Sequence, residues 1–191
     1  MIGWRTFSVI ASLALATLCS ASMISPAFAD EAIATTDSAA NVSTSIAGGV
    51  LMADKVLVQK SERRLYLLRH GQVLRSYRVA LGLRPQGTKQ EEGDYRTPEG
   101  DYKLIRRNSH SDYFLSMEIS YPAPADLARA QRQRVKPGGA IMLHGWPNNP
   151  RKTQDYYSNA DWTDGCIAVS NADMVEIWLM TPLETPIEIR P

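Results

Sequence analysis

Between Lys55 and Leu81 apolar residues recur at every second position: Val56 and Val58, then Leu65 and Leu67, then Tyr77, Val79 and Leu81. A period of two puts alternate side chains on one face of a strand, so the stretch predicts three strands with one buried face. Ser61-Glu62-Arg63 is the polar turn between the first two, and Arg69-His70-Gly71-Gln72 is a tight turn into the third, Val73–Leu81. The segment Gly82–Gly93 is polar and glycine-bearing, hence a loop, and Tyr95-Arg96-Thr97-Pro98-Glu99-Gly100 is a proline–glycine turn into a strand at Tyr102–Ile105. Met117–Tyr121 reads as a further strand stopped by Pro122 and Pro124. A short basic helix with Asp126 as N-cap runs to Arg134, and Pro137-Gly138-Gly139 turns into a strand at Ala140–Leu143. A loop then reaches Asn159, Gly165-Cys166 opens a strand at Ile167–Val169, and Ser170 or Asn171 caps a helix over Ala172–Met180. That helix turns Met174, Ile177 and either Trp178 or Thr181 inward, and Pro186–Ile189 is the last strand. Many short strands with few short helices predict a mainly β domain of sandwich or barrel-like form.

The first 53 residues break this pattern. Arg5 precedes an apolar run from Phe7 to about Cys19, and Ala27-Phe28-Ala29 supplies an A-x-A site before Asp30. This predicts a secretory signal peptide over residues 1–29, since the run is short for a transmembrane span; an uncleaved anchor is the alternative. Residues 30–53, rich in Ala, Ser, Thr, Gly and Asn, read as a flexible linker, which leaves residues 54–191 as one folded domain. The segment predicts export, with no stable membrane span after processing.

Composition changes the picture in two ways. The 191-residue chain carries 21 Lys+Arg against 20 Asp+Glu, and loss of residues 1–29 removes Arg5 alone, leaving 20 against 20. A formally neutral mature chain lacks the clustered basic surplus of a nucleic-acid binder, and Arg129, Arg132, Arg134 and Lys136 read as a solvated helix face. Processing also removes Cys19, one of two cysteines, leaving Cys166 without an internal disulfide partner. A solitary thiol in an exported protein is a candidate nucleophile, and a small buried hydrophobe is the plain alternative.

A thiol nucleophile requires a base. His70 lies in a hairpin turn and His110 in the polar run Arg106–Ser111, both read as solvated loops; His144 instead ends an apolar strand and precedes Gly145. His144 is therefore the candidate proton acceptor, with a satisfied core histidine as the alternative. Cys166 follows Gly165 after a polar turn, where backbone N–H groups can converge to lower a thiol pKa and receive an oxyanion. One cysteine and three scattered histidines, with no H-x-x-x-H or C-x-x-C, do not make a zinc site, and no metal or cofactor is expected.

Ile141-Met142-Leu143-His144-Gly145 followed by Thr163-Asp164-Gly165-Cys166-Ile167 resembles the L,D-transpeptidase (YkuD) catalytic domain, as does the upstream turn Thr97-Pro98-Glu99-Gly100. The resemblance spans about Asp54 to Pro191 and implies an L,D-transpeptidase (YkuD-like) mixed β-sandwich or barrel-like domain. It implies Cys166 as nucleophile, His144 as proton acceptor and donor, the Gly145 carbonyl as orienter of the imidazole, and the Gly165 and Cys166 N–H groups as oxyanion donors. Thr163, Asp164 and Trp146 are the implied substrate-binding residues. The implied partners are peptidoglycan stem tetrapeptides: the thiolate attacks the carbonyl of the third residue, D-alanine leaves, and an amine of a second stem, or of an envelope protein in some relatives, resolves the thioester. A hydrolase of the same fold and a non-catalytic wall-binding module are the alternatives. Two positions depart from the common pattern: Asp164 stands where histidine is usual, and Ala168 where many members place arginine or asparagine. The loop Trp146–Asn159, between the two motifs, is a candidate cover for a cleft, with plain loop packing as the equal alternative.

Overall fold

The computed structural model describes residues 51–191. The expected signal peptide and all but the last three residues of the expected linker lie outside the described residues. Leu51 and Met52 are exposed, whereas Ala53 is buried and donates its N–H to Met180 O at 2.8 Å, so packing begins one residue before the expected boundary.

Within the described residues eight strands and three helices follow in the order β1 (Lys55–Gln59), β2 (Arg64–Arg69), β3 (Gln72–Arg78), β4 (Gly100–Ser111), β5 (Phe114–Ile119), α1 (Pro124–Gln133), β6 (Met142–His144), α2 (Gln154–Asn159), β7 (Ile167–Ala168), α3 (Asn171–Met180) and β8 (Pro186–Arg190). The strands form one sheet in the order β3-β2-β1-β8-β4-β5-β6-β7. The β1–β8 and β6–β7 pairs are parallel and the rest antiparallel. After β3 the chain crosses to the far edge, where Ala80 and Ala168 exchange hydrogen bonds of 2.8 and 2.9 Å and Gly82 bridges Thr163. The segment that follows β3 thus pairs along the far edge of the sheet, which curls it into the mainly β, barrel-like form that the alternating pattern predicts.

Alternation explains the core. Val56 and Val58, Leu65 and Leu67, Tyr102 and Leu104, and Ile187 and Ile189 face inward from four neighbouring strands, and Met174, Ile177 and Met180 of α3 join the same cluster. Burying each such side chain contributes about 1.5–3 kcal/mol. Ser170 is the N-cap of α3, accepting Asp173 N–H at 3.1 Å, so the other candidate, Asn171, is left free for a different task. Thr181 is fully buried at the end of α3, and Trp178 is partly buried beneath the Arg107 guanidinium.

The differences from expectation lie where alternation fails. β4 runs six residues beyond Ile105 because Arg106–Ser111 pairs with β5 although both its faces are largely exposed; His110 is therefore on a strand, not a loop. Its partner β5 begins at Phe114 and ends at Ile119, earlier than the expected strand. α1 begins at Pro124 with Ala123 as N-cap: proline suits the first helical turn because its missing N–H has no partner there. Asp126, expected as the cap, is instead the third helical residue, buried, with its carboxylate accepting from Ala123 N–H, Tyr102 Oη and Arg129. α2 stands inside the expected loop, capped by Thr153 Oγ1.

Candidate active site

The parallel β6–β7 pair positions the site. Its register sets Leu143 against Ile167 and His144 against Ala168, and Leu143 and Ile167 are both fully buried on the core side. Strand periodicity then turns Met142, His144 and Cys166 to the opposite face. There they line a cleft of about 250 Å³ together with Ser111, Tyr113, Ser116, Ala140, Trp162, Thr163 and Asp164. Residues 22 apart in sequence become diagonal neighbours on one face.

His144 is held firmly. Its Nδ1 lies 2.6 Å from Gly145 O; a carbonyl can only accept, so Nδ1 carries the proton and Nε2 keeps the lone pair. Tyr113 and Trp162 flank the ring, with centroids at 4.7 and 5.7 Å, and burial behind them drives the imidazole pKa down to about 4. The histidine is neutral at pH 7. Gly145 is pinned by its N–H, shared between Tyr113 O and Leu115 O, and Trp146 N–H donates to Asn171 Oδ1 at 2.7 Å. A Cβ at Gly145 would stand 2.5 Å from that same Oδ1, so the position requires glycine.

The Cys166 thiol is partly exposed. Its Sγ accepts Met142 N–H at 3.4 Å and lies 3.8 Å from Ala140 O, the direction in which S–H points. Burial raises its pKa above the ordinary thiol value; Met142 N–H opposes this, the Asp164 carboxylate adds to it and Lys89 opposes it. At rest the pair is therefore a protonated thiol and a neutral imidazole. Asp164 is exposed at the cleft edge. Asp164→Asn should lower the thiol pKa and speed alkylation by iodoacetamide at pH 8 by about two-fold, a small effect because water screens an exposed charge. An unchanged or slower alkylation rate would contradict that sign.

The turn before Cys166 is built by Thr163. Its buried hydroxyl donates to Cys166 O at 2.7 Å and accepts Gly165 N–H at 3.2 Å. Thr163, expected to bind substrate, uses both its hydrogen-bonding roles within the turn. For the same reason the Gly165 N–H, expected as an oxyanion donor, already has a partner, whereas the Cys166 N–H has none in the protein among the described residues. Gly165 itself has φ +132°, and a Cβ there would meet Arg96 O at 2.7 Å. The Thr-Pro-Glu-Gly turn is thus the floor beneath the cysteine turn: Thr97 Oγ1 accepts Gly82 N–H, and the buried Lys60 ammonium donates to Gly87 O, Thr97 O and Glu99 Oε1.

Trp146 departs from expectation. It does not line the Cys166 cleft but a second cavity, whose Tyr157 ring meets the Trp162 ring of the cleft edge-on at 5.0 Å. Its backbone N–H is held by Asn171 Oδ1 and its ring lies 6.3 Å from that of Tyr157.

The sequence did not single out Tyr113, Ser116 or Asn171 for this site. Tyr113 is an aromatic at the tip of the β4–β5 hairpin, legible only once the polar run before it is known to be a strand. Asn171 was visible as a possible cap; what frees it is Ser170 taking that role. Asn171→Ala should strip Trp146 N–H of its acceptor, cost about 1–2 kcal/mol in thermal unfolding, and lower kcat more than it raises KM, because the histidine loop loses position and not contact with substrate. An unchanged kcat would remove Asn171 from the positioning set. Among the described residues no group of three His, Cys, Asp or Glu side chains is arranged to hold a metal ion, and no helix is long and apolar enough to cross a membrane.

Residues 53–189 match the family of the L,D-transpeptidase catalytic domain, YkuD. The Escherichia coli (strain K12) protein provisionally named L,D-transpeptidase YafK is 33% identical over 103 residues, covering 50% of this chain and 40% of the relative. Among solved structures, the helical cell shape determining protein Pgp2 from Campylobacter jejuni superposes with a TM-score of 0.54 at 25% identity, covering 71% of this chain and 46% of that one. Bd1075 from Bdellovibrio bacteriovorus gives 0.51 at 26% identity over 73% of this chain and 48% of its own. This chain spans less than half the length of each of these relatives. From the ordered motifs, the sheet and the match over most of its length, the chain belongs to the L,D-transpeptidase catalytic-domain (YkuD) family.

Proposed function

We propose that this protein is a cysteine-dependent L,D-transpeptidase acting on peptidoglycan stem tetrapeptides through a thioester on Cys166. The observation that carries this reading is the placement of Cys166 and a tautomer-fixed His144 on one face of β6–β7, lining one cleft. The carbonyl of the third stem residue enters the cleft, and Cys166 Sγ attacks as its proton passes to His144 Nε2. The imidazolium formed is stabilised through its Nδ1–H bond to Gly145 O. The Cys166 N–H faces the developing oxyanion, and Gly165 N–H reinforces it by leaving the weaker Thr163 acceptor. His144 returns the proton to the departing D-alanine amine, then takes one from the incoming amine and passes it to the Cys166 sulfur as the C–S bond breaks, which restores the thiol and the neutral imidazole.

Starting from neutral partners has a pH signature. His144 is neutral above about 4, so activity should persist through mildly acidic pH and fall as the base becomes protonated below that value. The raised thiol pKa means that thiolate accumulates only in alkali. A rate profile with its acid limb near pH 6.5 would contradict this account. Residues 1–29 would direct export and residues 30–52 would tether the domain, with the cell-wall compartment as the site of action; a second stem or an envelope protein supplies the acceptor amine.

The direct test is incubation with tetrapeptide-bearing muropeptides followed by chromatography. Cross-linked dimers with loss of D-alanine are expected. Tripeptide monomers alone would show water displacing the amine, and identical traces for wild type and Cys166→Ala would overturn both enzymatic readings.

A further inference from the structure

The second cavity, of about 200 Å³, lies against the Cys166 cleft across the Tyr157–Trp162 ridge and is lined by Arg78, Trp146, Tyr157, Ser158, Ala168, Ser170 and Asp173. Its walls are of two kinds. The Trp146 and Tyr157 rings, with centroids 6.3 Å apart, form an aromatic side. The polar side retains unused capacity. Arg78 donates through Nε and Nη2 to Ser158 O and Asn159 O, which leaves Nη1. Ser170 Oγ accepts Asp173 N–H and still has its own proton to give. The Asp173 carboxylate takes part in no hydrogen bond or ion pair among the described residues.

This set selects a ligand class. One guanidinium and one carboxylate cancel, so the cavity favours neither an anion nor a cation. A carboxylate acceptor, a hydroxyl donor and a guanidinium donor beside apolar ring faces suit a neutral group with hydroxyls on its edge and C–H bonds on its face. That is a pyranose. The volume accommodates one ring-sized group and falls below the roughly 300 Å³ at which pockets for drug-sized ligands begin. Ala168 contributes only a methyl to the lining.

We propose that this cavity is a saccharide subsite that holds the amino sugar to which the donor stem is attached. Reach supports it: from Cys166 to the Ala168–Ser170 wall is two to four residues of extended chain, roughly 7–13 Å. Three stem residues, from the attacked carbonyl back to the sugar, span roughly 10 Å when extended. The subsite rests on the stem-peptide reading above, and it makes the enzyme select stems still attached to glycan.

The test measures binding in the Cys166→Ala protein, where no turnover intervenes. Calorimetry compares a disaccharide-tetrapeptide with the free tetrapeptide. The expected result is about ten-fold tighter binding of the sugar-bearing ligand, with the difference cut to two-fold or less by Asp173→Asn and by Trp146→Leu. Equal affinities, or a preference that survives both substitutions, would overturn the subsite. Asp173→Asn alters only a partly exposed carboxylate and is read even if Trp146→Leu fails to fold. Failure of the transpeptidase reading would show separately, as wild-type enzyme that converts neither ligand.

Discussion

Replacing His144 with glutamine should lower the acylation rate of Cys166 by about 10²–10⁴-fold at pH 7, with little change in melting temperature. The glutamine amide can still donate to Gly145 O, the bond that Nδ1 makes at 2.6 Å, so the loop keeps its anchor. What it lacks is a basic lone pair to take the thiol proton. Because burial holds the Cys166 pKa above its ordinary value, very little thiolate exists at neutrality to react without help. The variant's residual rate should therefore climb nearly ten-fold per pH unit through neutral and mildly alkaline pH, while the wild-type rate stays flat over the same range. Stopped-flow acylation with an acylating β-lactam would measure both profiles. A variant with a flat profile would place the proton acceptor elsewhere.

The second large effect is expected at Gly165. Its φ of +132° lies in a region that side chains rarely adopt, and an added Cβ would stand 2.7 Å from Arg96 O and 3.4 Å from Ile141 Cδ1. Strain and contact act together, so Gly165→Ala should cost about 1–3 kcal/mol of stability. The chain can relieve the contact only by moving the turn that carries Cys166. Displacing a nucleophile by about 1 Å costs on the order of 10²-fold in rate, and that loss should exceed what the fall in folded fraction explains. Gly71→Ala is the control. Its φ is +76° with nothing within 4 Å of the added carbon, so it should show a modest drop in melting temperature and normal acylation. If Gly165→Ala acylates like Gly71→Ala, the Arg96 floor does not position the nucleophile.

The motif residues also show what the sequence makes legible. His144 and Cys166 announce themselves because each closes or opens an apolar strand, and the register of β6 with β7 then decides the face they share. The strands around Val56, Leu65 and Tyr77 are equally plain, since half-buried alternation writes burial directly into sequence. β4 is not, because Arg106 to Ser111 pairs with β5 while largely exposed on both faces, and pairing without burial leaves no period. The roles of Thr163 and Trp146 depend on closure in space. Thr163 both donates and accepts a hydrogen bond within its own turn, and Trp146 lies against Tyr157 in the second cavity. Lys60 is hidden for a similar reason: a lysine in a polar turn looks solvated until three oxygens converge on it.

The proposed starting state of the pair makes Asp164 tolerable beside Cys166. An exposed carboxylate raises the thiol pKa slightly, and in a mechanism that begins from thiol and imidazole this lowers thiolate that the reaction does not use at rest. In a mechanism that begins from a thiolate–imidazolium pair, the same aspartate would oppose the nucleophile directly.

Intact-protein and peptide mass spectrometry after incubation with a carbapenem decides whether Cys166 is the nucleophile. A single covalent adduct mapped to Cys166 is expected, absent in Cys166→Ala and formed far more slowly in His144→Gln. A wild-type protein that gains no mass, or gains it equally in Cys166→Ala, would contradict the assignment of Cys166 as the nucleophile.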